Sequence, residues 1–214
     1  MQQMKKSEIR RLSKSVGTVV FTDKDDQVYT ATGFVAYQDN IIFSTYHRGT
    51  FRKPVTFITP DKKIYKIACY FQPEHGNSVC ILRTVHRTGL TPFQCAGKVD
   101  ARQGDQLTAI GYKDGRIPVV YAAAFHRYLQ DLREVTYYGI FTPGTCGTPL
   151  LNGEGKVIAV HNKTFLKRKG YNAGTSIEDY NDCYKQLMED SYLWEGKYSL
   201  RALLEKIEER PGGG

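Results

Sequence analysis

An all-β fold, as a barrel or a sandwich, is what this sequence predicts, on three observations. Short runs of strand-forming residues recur at 17–21, 32–37, 41–44, 55–59, 63–70, 79–83, 106–111, 118–125, 135–140, 157–161 and 171–176. Turn formers punctuate them: Asp39-Asn40, Pro60-Asp61, Gly76-Asn77, Lys113-Asp114-Gly115 and Asn152-Gly153. Helical spacing of apolar residues is confined to the two ends of the chain, so nothing suggests the strand–helix alternation of a parallel sheet.

Taken in order, the chain opens with a short helix over 7–15. A hairpin follows, with strands 32–37 and 41–44 about a turn at Gln38-Asp39-Asn40, and its second strand leads to His47. The segment 79–83 reads as a core strand with Cys80 inside it. The stretch 96–104 is polar and poor in strand formers, which marks a connection. The turn Asn152-Gly153-Glu154-Gly155 precedes an apolar strand that delivers His161. From 177 to 209 the apolar residues change to helical spacing. Ile177, Tyr180, Tyr184, Leu187 and Met188 form one stripe, and Leu200, Leu203, Leu204 and Ile207 another. Both stripes are expected to dock on the strands, and the Pro211-Gly212-Gly213-Gly214 tail to be flexible.

With 214 residues, 41% hydrophobic and 24% charged, the chain has the composition of a soluble globular protein with a sizeable core. It contains no run of about 18 apolar residues, so no membrane segment is expected. Residues 1–11 are polar and basic with no apolar run behind them, unlike a signal peptide. Five cysteines, at 69, 80, 95, 146 and 183, form no C-x-x-C pair and fit a reducing, cytosolic setting; Cys69, Cys80 and Cys95 read as inert. Thirty Lys and Arg against 22 Asp and Glu leave a net charge of +8. The clusters Arg52-Lys53, Lys62-Lys63 and Lys167-Arg168-Lys169 suit phosphate contacts, so RNA binding is carried as an alternative function. Solvated faces explain such clusters equally well, and no aromatic-rich RNA-reading motif accompanies them. The basic 165–170 hairpin equally suits acidic residues in a substrate.

The stretch with the most chemistry is Phe141-Thr142-Pro143-Gly144-Thr145-Cys146-Gly147-Thr148-Pro149-Leu150. Two glycines flank a cysteine that stands out from a tight turn. Gly144 tolerates backbone angles that aim successive N–H groups into one hollow. The N–H groups of Gly144 and Cys146 would there hold the oxyanion of a tetrahedral intermediate. A cysteine nucleophile needs a base to take its proton, and His47, just past a hairpin strand, is the best placed of the five histidines. His161 follows the cysteine by 161 − 146 = 15 positions. Neither Cys146 nor His47 has metal-ligand spacing to other cysteines or histidines, so no metal and no cofactor is expected.

These features, in this order and over about residues 15 to 175, resemble a 3C-like cysteine protease, the polyprotein-processing enzyme of positive-strand RNA viruses. The matching residues are Thr32-Gly33-Phe34, Ser44-Thr45-Tyr46-His47, Pro143 to Leu150 and Val157 to His161. The resemblance implies two antiparallel β-barrels of chymotrypsin type with a short N-terminal helix and a C-terminal helical extension. It divides the chain into a helix and first barrel over 1–96, carrying His47, a connection at 97–104, a second barrel over 105–176, carrying Cys146 and His161, and the extension and tail over 177–214. His47 would be the base, Cys146 the nucleophile, and His161 the floor of the S1 pocket that takes glutamine, or less often glutamate, at P1. Where triad members of the family carry an acid this chain has Ser78, so a Cys–His dyad is expected, with Glu74, then Asn77, as the next choices for an orienting group. Phe141 would stack on His161 and keep it neutral, and Tyr137 or Tyr138 would supply a hydroxyl to its other nitrogen. Thr142 would line the same pocket, and the substrate backbone would pair with the strand edge at Asn162, Lys163 and Thr164. The implied partner is a viral polyprotein in the host cytoplasm. The oligomeric state stays open, with a homodimer among the alternatives.

Overall fold

The computed structural model describes residues 4–23, 25–46, 53–73, 78–113, 116–139, 141–142, 144–165 and 170–189. Helix α1 (Lys6–Ser13) leads into a first set of strands: β1 (Val16–Thr22), β2 (Val28–Val35), β3 (Ile41–Thr45), β4 (Lys53–Ile58), β5 (Ile64–Phe71) and β6 (Val79–Thr84). A second set follows: β7 (Gln106–Lys113), β8 (Ile117–Leu129), β9 (Glu134–Gly139), β10 (Pro149–Leu151), β11 (Val157–Thr164) and β12 (Tyr171–Ser176). Helix α2 (Ile177–Glu189) is the last described element. Each set closes into an antiparallel barrel, in the orders β1-β2-β3-β6-β5-β4 and β7-β8-β9-β12-β11-β10. Closure pairs every strand of each barrel on both sides over at least part of its length.

Apolar residues fill both interiors. Val19, Phe57, Cys80 and Leu82 sit in the middle of the first barrel, and Phe34, Phe43, Leu150 and Ile158 belong to a larger core that runs on into the second. All eight are completely buried, and each large side chain removed from water contributes about 1.5–3 kcal/mol. Phe34 meets Phe43 and Phe93 edge-on at 5.8 and 5.4 Å, tying the connection to the first barrel. That connection reaches the second barrel early. Ala96 N–H donates to Val157 O, and Val157 N–H to Gln94 O, both at 2.9 Å. Met4 and Leu12 bury the inner side of α1 in the shared core.

Helix α2 bonds to both barrels and to the connection between them. Its Tyr180 hydroxyl donates to Ser44 O on β3, its Asn181 amide to Ala96 O at 2.8 Å, and its Glu178 carboxylate accepts from Val99 N–H and the Tyr128 hydroxyl. Of the helical stripe read in 177–188, Ile177, Tyr180 and Leu187 are buried, but Met188 is 55% exposed because the helix turns that position away from the barrels. The second stripe, 200–207, and the tail lie outside the described residues.

Most expected strands shift by a few residues at their ends, and three differences have a clear cause. The strand expected at 32–37 begins at Val28, because its first residues pair with β1 from Thr22↔Val28 onward, and it ends at Val35, because Tyr37 takes φ +60 in the turn. The strand expected at 118–125 runs on to Leu129 by pairing with β9 across a bulge. Strand β10, three residues opened by a proline, carries too little pattern to be read from sequence.

Candidate active site

Cys146 lies in the connection between β9 and β10, where glycines permit a backbone that other residues resist. Gly144 has φ +87 and Gly147 φ +91. The turn is closed by Thr145, whose N–H and hydroxyl both donate to Thr142 O, at 3.3 and 2.7 Å. On its far side Gly147 N–H donates to His161 O at 2.7 Å, and His161 N–H to Thr148 O at 2.8 Å, which stitches the turn to β11. On its near side it leans on the first barrel. Thr32 N–H donates to Cys146 O at 2.8 Å, and the Thr32 hydroxyl donates to Gly144 O at 3.3 Å. A Cβ on Gly147 would stand 1.9 Å from Thr32 O, so this contact excludes any side chain there. Among the described residues, the N–H groups of Gly144 and Cys146 donate to no other residue, and the Cys146 N–H bonds its own thiol. Donors with no other residue to serve, beside a thiol, are what an oxyanion requires.

The Cys146 thiol is partly buried and donates to Asn162 O at 3.7 Å. Burial pushes it up to about 11, and it pushes Cys80, Cys95 and Cys183 up to about 12. Acidity therefore does not single out Cys146; the surrounding amides do. Its acceptor, Asn162, sits at a break in the β11–β12 register, which jumps between His161↔Gly174 and Lys163↔Ala173. Strand β10 pairs with β11 only as far as Val160, so among the described residues no strand covers the other side of 162–164.

His161 is 1% exposed and ringed by aromatics. Phe141 stacks on it at 4.5 Å and 29°, and Tyr121 stacks in turn on Phe141 at 4.9 Å and 15°. The Tyr137 hydroxyl meets His161 Nδ1 in a short hydrogen bond and lies 3.4 Å from Ala173 O. A hydroxyl that donates to Nδ1 puts the imidazole proton on Nε2; one that donates to Ala173 O takes a bond from Nδ1–H instead. Burial raises Tyr137 well above the usual phenol range, so it stays a hydroxyl. Thr164 Oγ1 stands 3.5 Å from Nε2. Tyr138, on the opposite face of β9, is 49% exposed and packs on His126 and Tyr171, so it has no contact with His161. Thr142 turns its hydroxyl to Tyr121, 2.7 Å away.

His47, Glu74 and Asn77 lie outside the described residues, as do Arg52 and Lys167 to Lys169. Position 47 follows the end of β3 by two residues. Ser78 is described: its carbonyl accepts from Thr45 Oγ1 at 2.8 Å and Tyr46 N–H at 3.3 Å, which sets it opposite the approach to position 47. Lys63 is held by Asp61 at 3.1 Å. The geometry gives Thr32, Ser44 and Tyr121 a place at the site. Thr32 and Ser44 stand inside the matched motifs, where the sequence assigns them no role, and nothing in the sequence singles out Tyr121.

The pattern of the trypsin-like peptidase domain family matches residues 17–160. No curated protein matches the chain in sequence. Among solved structures, the fold is similar to a serine endoprotease from Yersinia pestis, with TM-score 0.72, 14% identity, and coverage of 89% of this chain and 69% of that one. It is similar also to the Rv3671c protease of M. tuberculosis. The active form gives TM-score 0.69 and 18% identity over 85% of this chain and 82% of that one; the inactive form gives 0.65 and 18% over 86% and 92%.

Proposed function

The chain belongs to the trypsin-like peptidase domain family, and within it we propose a cysteine endopeptidase of the 3C-like type, which cleaves a viral polyprotein after glutamine, or glutamate, in the host cytoplasm. The observation that carries this is the turn around Cys146, just before β10, where a thiol stands beside two N–H groups that donate to no other described residue. The protease from Yersinia pestis is a serine enzyme, but no serine in this sequence has a glycine within two positions on both sides, as Cys146 has.

In this reading an extended peptide pairs along the free side of 162–164, adding a strand to β11. The peptide N–H at P1 takes Asn162 O, the acceptor on which the thiol rests. His47 removes the thiol proton, and the sulfur attacks the carbonyl carbon. The carbonyl π pair moves to oxygen, where the N–H groups of Gly144 and Cys146 receive it. Collapse breaks the C–N bond, and His47 returns its proton to the departing amine. A water then loses a proton to His47 and attacks the thioester, and the thiolate leaves as the acid forms. His161, its proton on Nε2, donates to the side-chain oxygen of a P1 glutamine, with Tyr137 and Phe141 holding the ring. In this reading the pair works as a dyad, with Glu74 and then Asn77 as the next choices for an orienting group, and a thiol tolerates the lack of a carboxylate better than a hydroxyl does.

The test is a peptide panel carrying every residue at P1, incubated with the protein and with Cys146→Ala. Cleavage after glutamine by the parent alone is expected. Cleavage by both would mean that another group is the nucleophile.

RNA binding is a second reading with an observation of its own. Lys5, Lys6, Arg10, Arg11 and Lys14 are all exposed on and beside α1, and none forms an ion pair among the described residues. A salt-dependent mobility shift of single-stranded RNA that persists in Cys146→Ala and weakens in Arg10→Ala/Arg11→Ala supports it. No shift at low salt removes it.

A further inference from the structure

The turn that carries Cys146 has little stiffness of its own. Two of its residues are glycines at positive φ, the conformation in which a chain has least side-chain restraint. Its geometry must therefore be imposed from outside, and one residue of the first barrel does much of this.

Thr32, completely buried in β2, commits all of its polar groups at the junction. Its N–H donates to Cys146 O at 2.8 Å, and its hydroxyl donates to Gly144 O at 3.3 Å while accepting from Tyr112 N–H of β7 at 3.0 Å. Its carbonyl accepts from the Ser44 hydroxyl at 2.7 Å. Ser44, also completely buried, lies on β3, whose last residue, Thr45, precedes His47 by two positions. Its own carbonyl is held by the Tyr180 hydroxyl of α2. Two hydroxyls and one peptide unit thus join the strand that leads to His47 with the turn that carries Cys146.

We propose that Thr32 and Ser44 are positioning residues: their hydroxyls hold the turn from Gly144 to Gly147 in the orientation that keeps the N–H groups of Gly144 and Cys146 aimed at the oxyanion. The proposal rests on the reading of Cys146 as nucleophile. Loss of the Thr32 hydroxyl frees the Gly144 carbonyl and leaves Tyr112 N–H unbonded, while the backbone bond to Cys146 O remains. The turn stays docked, but its amides are no longer fixed against rotation. Such an error affects the transition state far more than the bound substrate.

The test uses Thr32→Val, Ser44→Ala and Thr32→Ser beside the parent and Cys146→Ala. For each, kcat and KM on a glutamine peptide are measured, together with inhibition by a peptide aldehyde, the rate of Cys146 alkylation by iodoacetamide, and the melting temperature. Thr32→Val is expected to lose kcat by on the order of 10²-fold with KM unchanged. Aldehyde affinity, which depends on the oxyanion site, should fall in parallel. Alkylation, which does not, should keep the parent rate, and Thr32→Ser should restore kcat. Ser44→Ala should move the same quantities less.

A Thr32→Val protein with the parent's kcat would overturn the proposal. So would a loss of kcat matched by equal losses in alkylation and melting temperature, with no rescue by serine, since that is the mark of general unfolding. If Cys146→Ala cleaves like the parent, the reading of the nucleophile fails and the proposal falls with it. An inert Cys146→Ala beside a fully active Thr32→Val defeats the positioning role alone.

Discussion

The two barrels share one strand order and differ at one seam. In each, the fourth strand closes the ring against the first, and in each the connection between third and fourth strands carries a proposed catalytic residue: position 47 between β3 and β4, and Cys146 between β9 and β10. The closing strand of the first barrel is six residues long; that of the second is three. The short β10 leaves the end of β11 uncovered at 162–164, beside the cysteine, where a peptide can add. The comparison teaches that the proposed binding edge comes from shortening one strand of a repeated plan, while the plan itself brings both connections to equivalent corners.

Four changes break or sharpen this comparison. The largest effect is expected from Gly147→Ala. A Cβ there meets Thr32 O at 1.9 Å in a residue at φ +91, so the turn cannot stay docked on the first barrel. Cleavage should fall by about 10³-fold, as for loss of an oxyanion site. Urea unfolding should show a loss of about 3 kcal/mol from overpacking and strain. Near-parent activity would mean that the docking is irrelevant to catalysis.

The next concerns pH. Burial holds the Cys146 thiol at about 11, so at neutral pH it is protonated in the free protein. Its alkylation by iodoacetamide should therefore rise about tenfold per pH unit from 7 to about 10, following the thiolate fraction. A rate that levels off below pH 8 would instead indicate a preformed thiolate–imidazolium pair and contradict the resting contact with Asn162.

Smaller again is Tyr137→Phe. It removes the hydroxyl from His161 Nδ1 and frees the ring's proton to move between nitrogens. Preference for glutamine over other P1 residues should drop about tenfold, the worth of one buried hydrogen bond. Cleavage after small apolar residues, if measurable, should stay as it is, and a P1 peptide panel separates the two. The smallest is Tyr180→Phe, which unties α2 from Ser44 O. A loss of about 1 kcal/mol in urea unfolding is expected, and no loss at all would show that this hydrogen bond adds nothing to the docking of α2.

Much of this architecture was legible in the chain, because strand formers and turn residues alternate with little ambiguity. The hairpin at 32–44 and the glycine-flanked Cys146 follow from local chemistry. What could not be read depends on contacts between distant parts. Thr32 bonds to Gly144, 112 positions away, and nothing in a threonine within a strand announces that. The sequence left Tyr137 and Tyr138 equal as partners for His161, since their side chains alternate across β9 and only the closed barrel decides which face is inward. Tyr121 completes the aromatic stack from β8, and a tyrosine among alanines there carries no signal of its own. The run Pro149-Leu150-Leu151 is too short to show a period.

The uncovered end of β11 has a cost in solution behaviour. A bare strand edge offers its backbone groups to any extended chain, including another copy of this protein, and is a seed for aggregation. The register break at Asn162 twists this edge, and exposed Lys163, its ammonium 4.6 Å from the Phe165 ring centre, sets a charge on it. Both features discourage flat pairing between copies while leaving the edge open to the single extended peptide proposed as substrate. Smoothing this edge, by removing the charge or the bulge, would therefore turn a receptor for one strand into a template for many, and the protein's shelf life would come to depend on its concentration.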